Sequence, residues 1–169
     1  MHAELYSAGL ERVPLRNAPV EEATWAALES LATTILDPVV DALGPLRVTY
    51  GFASPDLVRS IRRRARQEAR SPRICPRVDQ HAGHELVAGA RVCSRAGVAV
   101  DFEVPGVSSD AVASWLLART PVDRIYLYGA DRPLHVSWAP SPAGLAYLMA
   151  GVHPVPRLWK PDSYREPIR

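Results

Sequence analysis

The sequence contains little cysteine, phenylalanine or lysine. Its 169 residues include two cysteines, two phenylalanines and a single lysine, Lys160. Two cysteines are too few for a scaffold built on disulfides. No apolar run approaches the roughly 18–20 residues that cross a bilayer, and residues 1–12 lack the basic and apolar regions of a signal peptide. These absences predict a cytoplasmic protein with no membrane partner.

The composition is typical of a folded domain. Hydrophobic residues make up 47% of the chain and charged residues 22%, which excludes the disordered and fibrous classes. A chain of 169 residues can bury a sizeable core and is most simply one unit. We therefore predict a single domain over residues 1–169.

Charge is distributed unevenly along the chain. The formal net charge is +2, and 19 of the 20 basic residues are arginines. Eight arginines lie between Arg59 and Arg77, where Glu68 is the sole acid, so this arginine block carries +7 and the rest of the chain −5. Guanidinium groups bind carboxylates and phosphates in bidentate fashion. The block predicts contact with an anionic partner, either a small substrate, through Arg62 and Arg63, or nucleic acid.

A solvated helix face is the alternative explanation of the arginine block. No RNA-binding, zinc-finger or glycine-rich phosphate motif accompanies it in the sequence. The charge pattern by itself therefore leaves the choice between a binding surface and an ordinary solvated face open.

Helix signals occur at four places in the chain. Apolar residues recur every three or four positions over residues 21–43, which predicts a helix that Pro38 kinks. Ser54-Pro55 and Ser108-Ser109 are typical helix starts. Ser141-Pro142 predicts a further, C-terminal helix that ends at Gly151, followed by a proline-rich tail, in the segment 139–169.

Alternating patterns predict the strands. They fall at residues 46–50, 98–104, 124–128 and 134–138. Residues 71–97 between them lack periodicity, and long irregular segments in compact domains are often functional. Because the last two strands form a hairpin-like pair, we predict an α+β fold with a small antiparallel sheet and flanking helices.

Histidines and acids stand out in three segments. His81 and His84 lie in the irregular segment, Asp101 interrupts an apolar strand, and His135 alternates with apolar residues in another. A half-buried acid and imidazole are costly unless something satisfies them, and a metal ion satisfies both. Each residue considered singly has an ordinary alternative, as a hydrogen-bonded core residue or a solvated one.

In their order along residues 28–137, these segments resemble the zinc D-alanyl-D-alanine carboxypeptidase and Hedgehog-type family. The family has a motif S-x-H-x-x-G-x-A-x-D and a later W-x-H-V strand, which Gly97-x-Ala99-x-Asp101 and Leu134-His135-Val136 resemble. The resemblance implies a DD-peptidase-like core over residues 20–138. It also implies a Zn²⁺ site whose ligands are His81, Asp101 and His135.

The first histidine and the aspartate are 20 residues apart here, farther than in the family, which implies an insertion near residues 84–96. Cys75 lies before it and Cys93 near its end. They could form a closed structural zinc site with His81 and His84, a disulfide, or two buried free cysteines. The sequence leaves these three alternatives open.

The resemblance also implies catalytic residues. The family's general base is a carboxylate shortly before the last histidine, where this chain has Asp131 and Arg132. Asp131 is therefore predicted as the base and Arg132 as a stabiliser of the oxyanion, with Glu85 or Tyr128 as alternatives to Asp131. Tyr128 is also predicted to contact substrate. Asp131 has an ordinary alternative as a turn residue.

One departure concerns the substrate. Where family members carry an arginine that helps to hold a substrate carboxylate, this chain has Ala53, so a cell-wall D-Ala-D-Ala substrate is not expected. The resemblance implies a zinc-dependent hydrolase that cleaves an amide bond in a peptide or another small anionic substrate. The alternative is a metal-binding, non-peptidase accessory protein that recognises phosphate or nucleic acid through the arginine block.

Overall fold

A six-stranded sheet, covered by helices on one face, is the framework of the chain. The computed structural model describes residues 16–69, 75–150 and 155–161. Over these residues the predicted α+β class is confirmed. Within the described part of the chain, no helix has both the length and the apolar character needed to cross a membrane.

The helices begin where the sequence signals them. They are α1 (Glu22–Leu31), α2 (Asp37–Leu43), α3 (Pro55–Gln67) and α4 (Ser109–Arg119). Ser54 and Ser108 cap the last two, since each hydroxyl accepts a hydrogen bond from a backbone N–H of the first turn. A π-helical segment, Ala32–Leu36, separates α1 from α2. Pro38 explains this break, because it has no N–H for the α-helical ladder.

In the part of the chain that the structure describes, eight strands form two sheets. They are β1 (Arg47–Tyr50), β2 (Leu86–Val87), β3 (Ala90–Arg91), β4 (Val98–Glu103), β5 (Arg124–Leu127), β6 (Leu134–Trp138), β7 (Leu145–Ala150) and β8 (Val155–Trp159). The main sheet has the order β1-β4-β6-β5-β7-β8, and β2 pairs with β3 in a separate hairpin. This hairpin lies inside the predicted insertion, residues 84–96.

Two predictions about the sheet are wrong. It is mixed and not purely antiparallel, because β5 and β7 run parallel. The predicted C-terminal helix is instead β7, and part of the proline-rich tail is β8. All six residues of β7 pair with β5, with β8 or with both. This tertiary hydrogen bonding overrides the local helix-start signal of Ser141-Pro142, which Gly144 already weakens. Gly151, the predicted helix end, lies outside the described residues.

The strand alternation of β4 creates two different faces. Val98, Val100 and Phe102 are buried in the main core, where α1, α2 and α4 also contribute side chains. Asp101 and Glu103 are each partly exposed and point to the opposite face, since successive side chains alternate. The polar residues of the strands therefore gather on the face opposite α1, α2 and α4.

Candidate metal centre

Three donor atoms meet on the face of the sheet opposite α1, α2 and α4. Asp101 of β4 and His135 of β6 are direct partners on adjacent antiparallel strands. The Asp101 Oδ1 atom lies 3.0 Å from His135 Nδ1 and 3.2 Å from His81 Nε2. The third side of the triangle, between His135 Nδ1 and His81 Nε2, measures 3.1 Å. The structure thus brings together the three residues predicted as metal ligands.

The size of this triangle is that of a metal coordination site. Donors bound to one tetrahedral ion at about 2.0–2.1 Å lie about 3.3 Å from one another. The three measured separations, 3.0–3.2 Å, are within a few tenths of an ångström of that value. His81, Asp101 and His135 can therefore hold a metal ion, and they form the metal-ligating group found among the described residues.

Burial makes the two histidines costly without a further partner. His81 and His135 are 5% and 3% exposed. Their outer nitrogens, His81 Nδ1 and His135 Nε2, are buried and have no hydrogen-bond partner among the described residues. The side-chain polar contacts of the two rings are thus directed into the triangle. The Asp101 side chain is 26% exposed, so one side of the cluster is accessible from solvent.

The cluster strongly favours an ionised Asp101. Burial raises the pKa of this carboxyl group, but hydrogen bonds from His135 and His81 and the charges of both rings hold it well below its ordinary value. Asp101 is therefore a carboxylate across the physiological range, which is the state in which it can act as a ligand.

The two histidines differ in their preference for a proton. Burial lowers the pKa of His81, but the hydrogen bond and charge of Asp101, with the charge of Asp79, raise it above its ordinary value. Burial also lowers the pKa of His135. The hydrogen bond with Asp101 raises this pKa and the charge of His81 lowers it, and the net result is a pKa below the ordinary value. His135 is thus neutral and ready to bind a metal, whereas His81 binds a proton more readily.

Aromatic rings surround the cluster. Tyr50 packs edge-on against His81 with ring centroids 4.6 Å apart. Tyr126 lies 5.1 Å from His135 and stacks on Tyr147 of the neighbouring strand at 5.5 Å. These rings fix the orientation of both imidazoles from the sides and exclude water from around them.

The Asp79 carboxylate holds the segment that carries His81 through two hydrogen bonds. Asp79 Oδ2 accepts a 2.9 Å hydrogen bond from the Cys75 N–H, and Asp79 Oδ1 accepts a longer one from the His81 N–H. Gln80 between them has a positive φ of 61°, which is uncommon outside glycine. The backbone of this segment is therefore fixed in an unusual conformation directly beside a metal-ligand candidate.

Glu85 and His84 have structural partners elsewhere. The Glu85 carboxylate accepts hydrogen bonds from the Val20 and Glu21 N–H groups and the Thr24 hydroxyl, at the N-terminus of α1. Such a position stabilises a negative charge. His84 Nε2 accepts from the Gly97 N–H, and burial lowers its pKa. Glu85 is thus engaged at a helix end, away from the role of base considered for it.

The two cysteines do not pair. Cys75 is exposed and Cys93 buried, and both are free, so the disulfide alternative is wrong and the prediction of two buried thiols holds for Cys93 alone. Within residues 16–69, 75–150 and 155–161, neither cysteine nor His84 joins a group of metal-ligand donors. The structure thus gives no support to a closed Cys/His zinc site.

Asp131 and Arg132 lie in the turn between β5 and β6, and both are exposed. They line a cavity of about 420 Å³ with Glu103 and the loop that leads into α4. His81, Asp101 and His135 are not in its lining. The lining residue Glu103 lies two residues after Asp101 on β4. The predicted catalytic residues Asp131 and Arg132 therefore line this cavity and not the metal triangle.

Tyr128, in contrast, responds to the cluster. The residue is 45% exposed. Partial burial, followed by the negative charges of Asp101 and Asp79, raises the pKa of its hydroxyl well above the ordinary value. Tyr128 is therefore a neutral phenol at every physiological pH and can donate a hydrogen bond at the edge of the site.

The arginine block is partly neutralised within its own helix. On α3, Arg59 pairs with Asp56 and Arg64 with Glu68. Arg63 is exposed and Arg62 half-buried, so the predicted contacts lie on a helix side accessible to solvent. Arg70 and Arg73 fall outside the described residues.

Sequence reasoning missed three residues near the cluster: Asp79, Arg95 and Tyr126. Arg95 Nη1 donates hydrogen bonds of 2.8 Å to the Val78 carbonyl and to the Tyr126 hydroxyl. The only feature of the sequence that points to Asp79 is its position two residues before His81. Nothing in the sequence pattern indicates that Arg95, in the insertion, reaches β5.

Comparison of the chain with family models, with curated proteins and with solved structures gives no match.

Proposed function

We propose that the chain is a zinc-dependent hydrolase that cleaves an amide bond, with His81 Nε2, Asp101 Oδ1 and His135 Nδ1 as the metal ligands. The observation that carries the proposal is the triangle of donor atoms with 3.0–3.2 Å sides. Two imidazoles and one carboxylate form a donor set typical of catalytic zinc, which keeps a position open for water or substrate. The order of the three residues, which resembles the D-alanyl-D-alanine carboxypeptidase family, supports the same choice.

The surroundings fit a catalytic site better than a closed structural one. Zinc bound by three protein ligands supplies Lewis-acid chemistry that polarises a carbonyl group and activates water for attack. The two histidines are buried, whereas the Asp101 side chain is partly exposed. Substrate can therefore approach from the Asp101 side while the buried histidines remain in place.

A carboxylate must take the proton from the attacking water and pass it to the leaving amine. Asp79 is the first candidate, because it lies two residues before His81 and its carboxylate contacts the His81 backbone. Backbone N–H groups of Cys75 and His81 orient this carboxylate. Asp131, predicted from the sequence, remains the second candidate, placed in the adjoining cavity with Arg132.

Two side chains are suited to hold the substrate. The neutral hydroxyl of Tyr128 can donate to the oxyanion that develops on the scissile carbonyl. Arg95 can hold an anionic group, since its Nη1 atom is fixed by two neutral acceptors and the side chain has no ion-pair partner among the described residues. Arg47, Arg59, Arg64 and Arg124, in contrast, are paired with carboxylates. The proposed substrate is therefore a peptide or another small amide with a negative charge.

The proposal is tested by metal content and hydrolysis measured on the same preparations. We expect one zinc per chain in the wild type, and cleavage of acetylated dipeptides that stops on chelation and resumes when zinc is restored. His81→Ala should lose both properties. His84→Ala is the matched control, because this histidine belongs to the same segment but not to the triangle. A wild-type chain that binds no zinc, or a His81→Ala variant that retains it, contradicts the proposal.

The alternative, a metal-binding accessory protein without peptidase activity, leads to a different result. Zinc would then be present and lost in His81→Ala, but no amide would be cleaved. Anion or nucleic-acid binding by α3 would fall when Arg62 and Arg63 are replaced by glutamate, and it would weaken as salt is added. If amide hydrolysis is unaffected by the glutamate substitutions and by added salt, the result favours the hydrolase.

A further inference from the structure

We propose that Asp123 and Gln80 are positioning residues that set the metal affinity of the centre by linking the three segments that carry the ligands. The inference rests on the proposed metal site and extends it to residues that do not touch the ion. Neither residue contacts His81, Asp101 or His135 through its side chain in the hydrogen bonds of the described chain. Their effect must pass through the backbone segments that they join.

Asp123 accepts hydrogen bonds from four different groups although its side chain is buried. The residue is 2% exposed. Its Oδ1 atom accepts from the Ala143 N–H at 3.0 Å. Its Oδ2 atom accepts from Arg124 Nη1 at 2.6 Å, Gln80 Nε2 at 3.2 Å and the Ser137 hydroxyl at 3.4 Å. This carboxylate is therefore a buried junction between separate parts of the chain.

Gln80 is fixed in one orientation. Its side chain is fully buried, and Nε2 donates to the Ala96 carbonyl at 2.6 Å as well as to Asp123. Both partners are acceptors, so the amide cannot turn over without placing its oxygen against them. The opposite atom, Gln80 Oε1, is buried and has no partner among the described residues. The side chain thus retains its two donations although its oxygen is left unsatisfied.

These contacts reach each ligand-bearing segment. Gln80 directly precedes His81 in the chain. Ser137 lies two residues after His135 on β6, on the same face of the strand. Ala96 leads through Gly97 into β4, which carries Asp101. A displacement of the Asp123–Gln80 pair would therefore change the separations of all three donor atoms.

The pair is poorly explained as a stabilising feature alone. Gln80 has a positive φ of 61°, a strained conformation for a non-glycine residue. A buried charge contributes little net stability, and apolar residues of similar volume often replace such groups without loss. Strained and imperfectly satisfied groups that persist in a fold are characteristic of functional sites. We attribute the retention of the strained Gln80 backbone and the buried Asp123 charge to their role in maintaining the geometry of the neighbouring metal centre.

The test compares two buried carboxylates of equal burial, Asp123 and Glu85, which are both 2% exposed. Asp123→Asn replaces one acceptor oxygen by an NH₂ group. This group must face either the Ala143 N–H or the Gln80 Nε2 atom, which are themselves donors, so the variant loses a hydrogen bond and breaks the junction. Gln80→Met removes both donations at similar volume. Glu85→Gln disturbs the same segment at the N-terminus of α1, away from Asp123. Zinc affinity is measured by competition with a chromophoric chelator, and geometry by the visible absorption of the Co²⁺-loaded protein.

We expect Asp123→Asn and Gln80→Met to weaken zinc binding about tenfold and to alter the Co²⁺ absorption bands, because supporting residues of metal sites typically change affinity by 10–100-fold. Glu85→Gln should lower thermal stability but leave zinc affinity and the Co²⁺ spectrum unchanged. The inference is overturned if the first two variants bind zinc within twofold of the wild type, or if Glu85→Gln weakens it equally. A wild-type chain that binds no zinc refutes the metal site itself, and this inference with it.

Discussion

Asp101 and His135 are cross-strand partners whose side chains meet with Oδ1 and Nδ1 3.0 Å apart on the face of the sheet opposite α1, α2 and α4. Antiparallel pairing holds the two residues directly opposite each other. Two of the three metal-ligand candidates are thus fixed by the sheet ladder itself. Only His81 depends on a segment without regular structure.

Replacing Asp101 by asparagine should abolish tight zinc binding. Asp101→Asn removes the charged ligand and leaves His81 and His135 facing a neutral amide, so we expect a loss of at least about a hundredfold in zinc affinity. Chelator competition measures it. Glu103→Gln is the control, because Glu103 lies on the same face of β4 but pairs with Arg47. Equal losses in both variants would show that β4, and not the ligand, is responsible.

Zinc should stabilise the protein more at pH 8 than at pH 6. Burial lowers the pKa of His81, but Asp101 and Asp79 raise it above the ordinary value of 6.5. The stability that this proton gives the metal-free fold is therefore full below pH 6.5 and is lost as the pH rises through the raised pKa. Because zinc must displace the proton, its stabilising effect should grow with pH, by at most about 1.4 kcal/mol per pH unit.

Thermal unfolding with and without zinc, across this pH range, measures the effect. His135 has a lowered pKa and so contributes no bound proton for zinc to displace. A zinc-induced shift of the midpoint that is constant from pH 6 to pH 8, or larger at pH 6, would contradict the assignment of the raised pKa to His81.

Asp79 and Asp131 can be separated by their amide variants. If Asp79 is the general base, Asp79→Asn should lower kcat by about 10²–10⁴-fold while zinc content stays at one per chain. Asp131→Asn should change kcat little, because Asp131 lies in the adjoining cavity. Steady-state kinetics with metal analysis of each preparation decides the question. The opposite ranking would return the role to Asp131, as predicted from the sequence.

Arg95 should determine the preference for anionic substrates. Arg95→Ala is expected to lower kcat/KM about 10–100-fold for acetyl-dipeptides with a free carboxylate, because charge-assisted hydrogen bonds are lost. The corresponding carboxamides should be nearly unaffected. Arg91→Ala, on β3 of the same insertion, removes an equal charge from an exposed position and serves as the control. A parallel loss with both substrate types would indicate a structural role for Arg95.

Gly97 should be intolerant of any side chain. A Cβ atom at this position would lie 1.8 Å from the Trp138 carbonyl oxygen, and the backbone has a φ of +97°. We expect Gly97→Ala to lower the free energy of unfolding by more than about 4 kcal/mol. Gly106 also has a positive φ but open space around it, so Gly106→Ala should cost only about 1–2 kcal/mol. Denaturant unfolding measures the free energy of unfolding of both variants. Similar losses in the two would contradict the prediction, because they would show that backbone strain, and not the clash with the Trp138 carbonyl, determines the cost.

Local signals in the sequence were sufficient for most elements of this fold. The caps at Ser54 and Ser108 and the alternation in β4 and β6 depend on neighbouring residues, and each predicted its element. The segment that became β7 was misjudged because its conformation depends on hydrogen bonds to β5, about 20 residues away in sequence. Strand pairing of this kind leaves no local signature beyond an apolar run.

The sequence by itself determined the α+β class and the residues of the metal triangle. Residue type alone left each of the three with an ordinary alternative, and it was their order, through its resemblance to the carboxypeptidase and Hedgehog-type family, that predicted the set. Only the tertiary structure decided which groups surround that triangle. Asp79, Arg95 and the junction of Gln80 with Asp123 come from segments that pack together across long sequence separations. The physical reason is that hydrogen bonds between side chains depend on distance in space, which the pairing of strands sets and residue order does not.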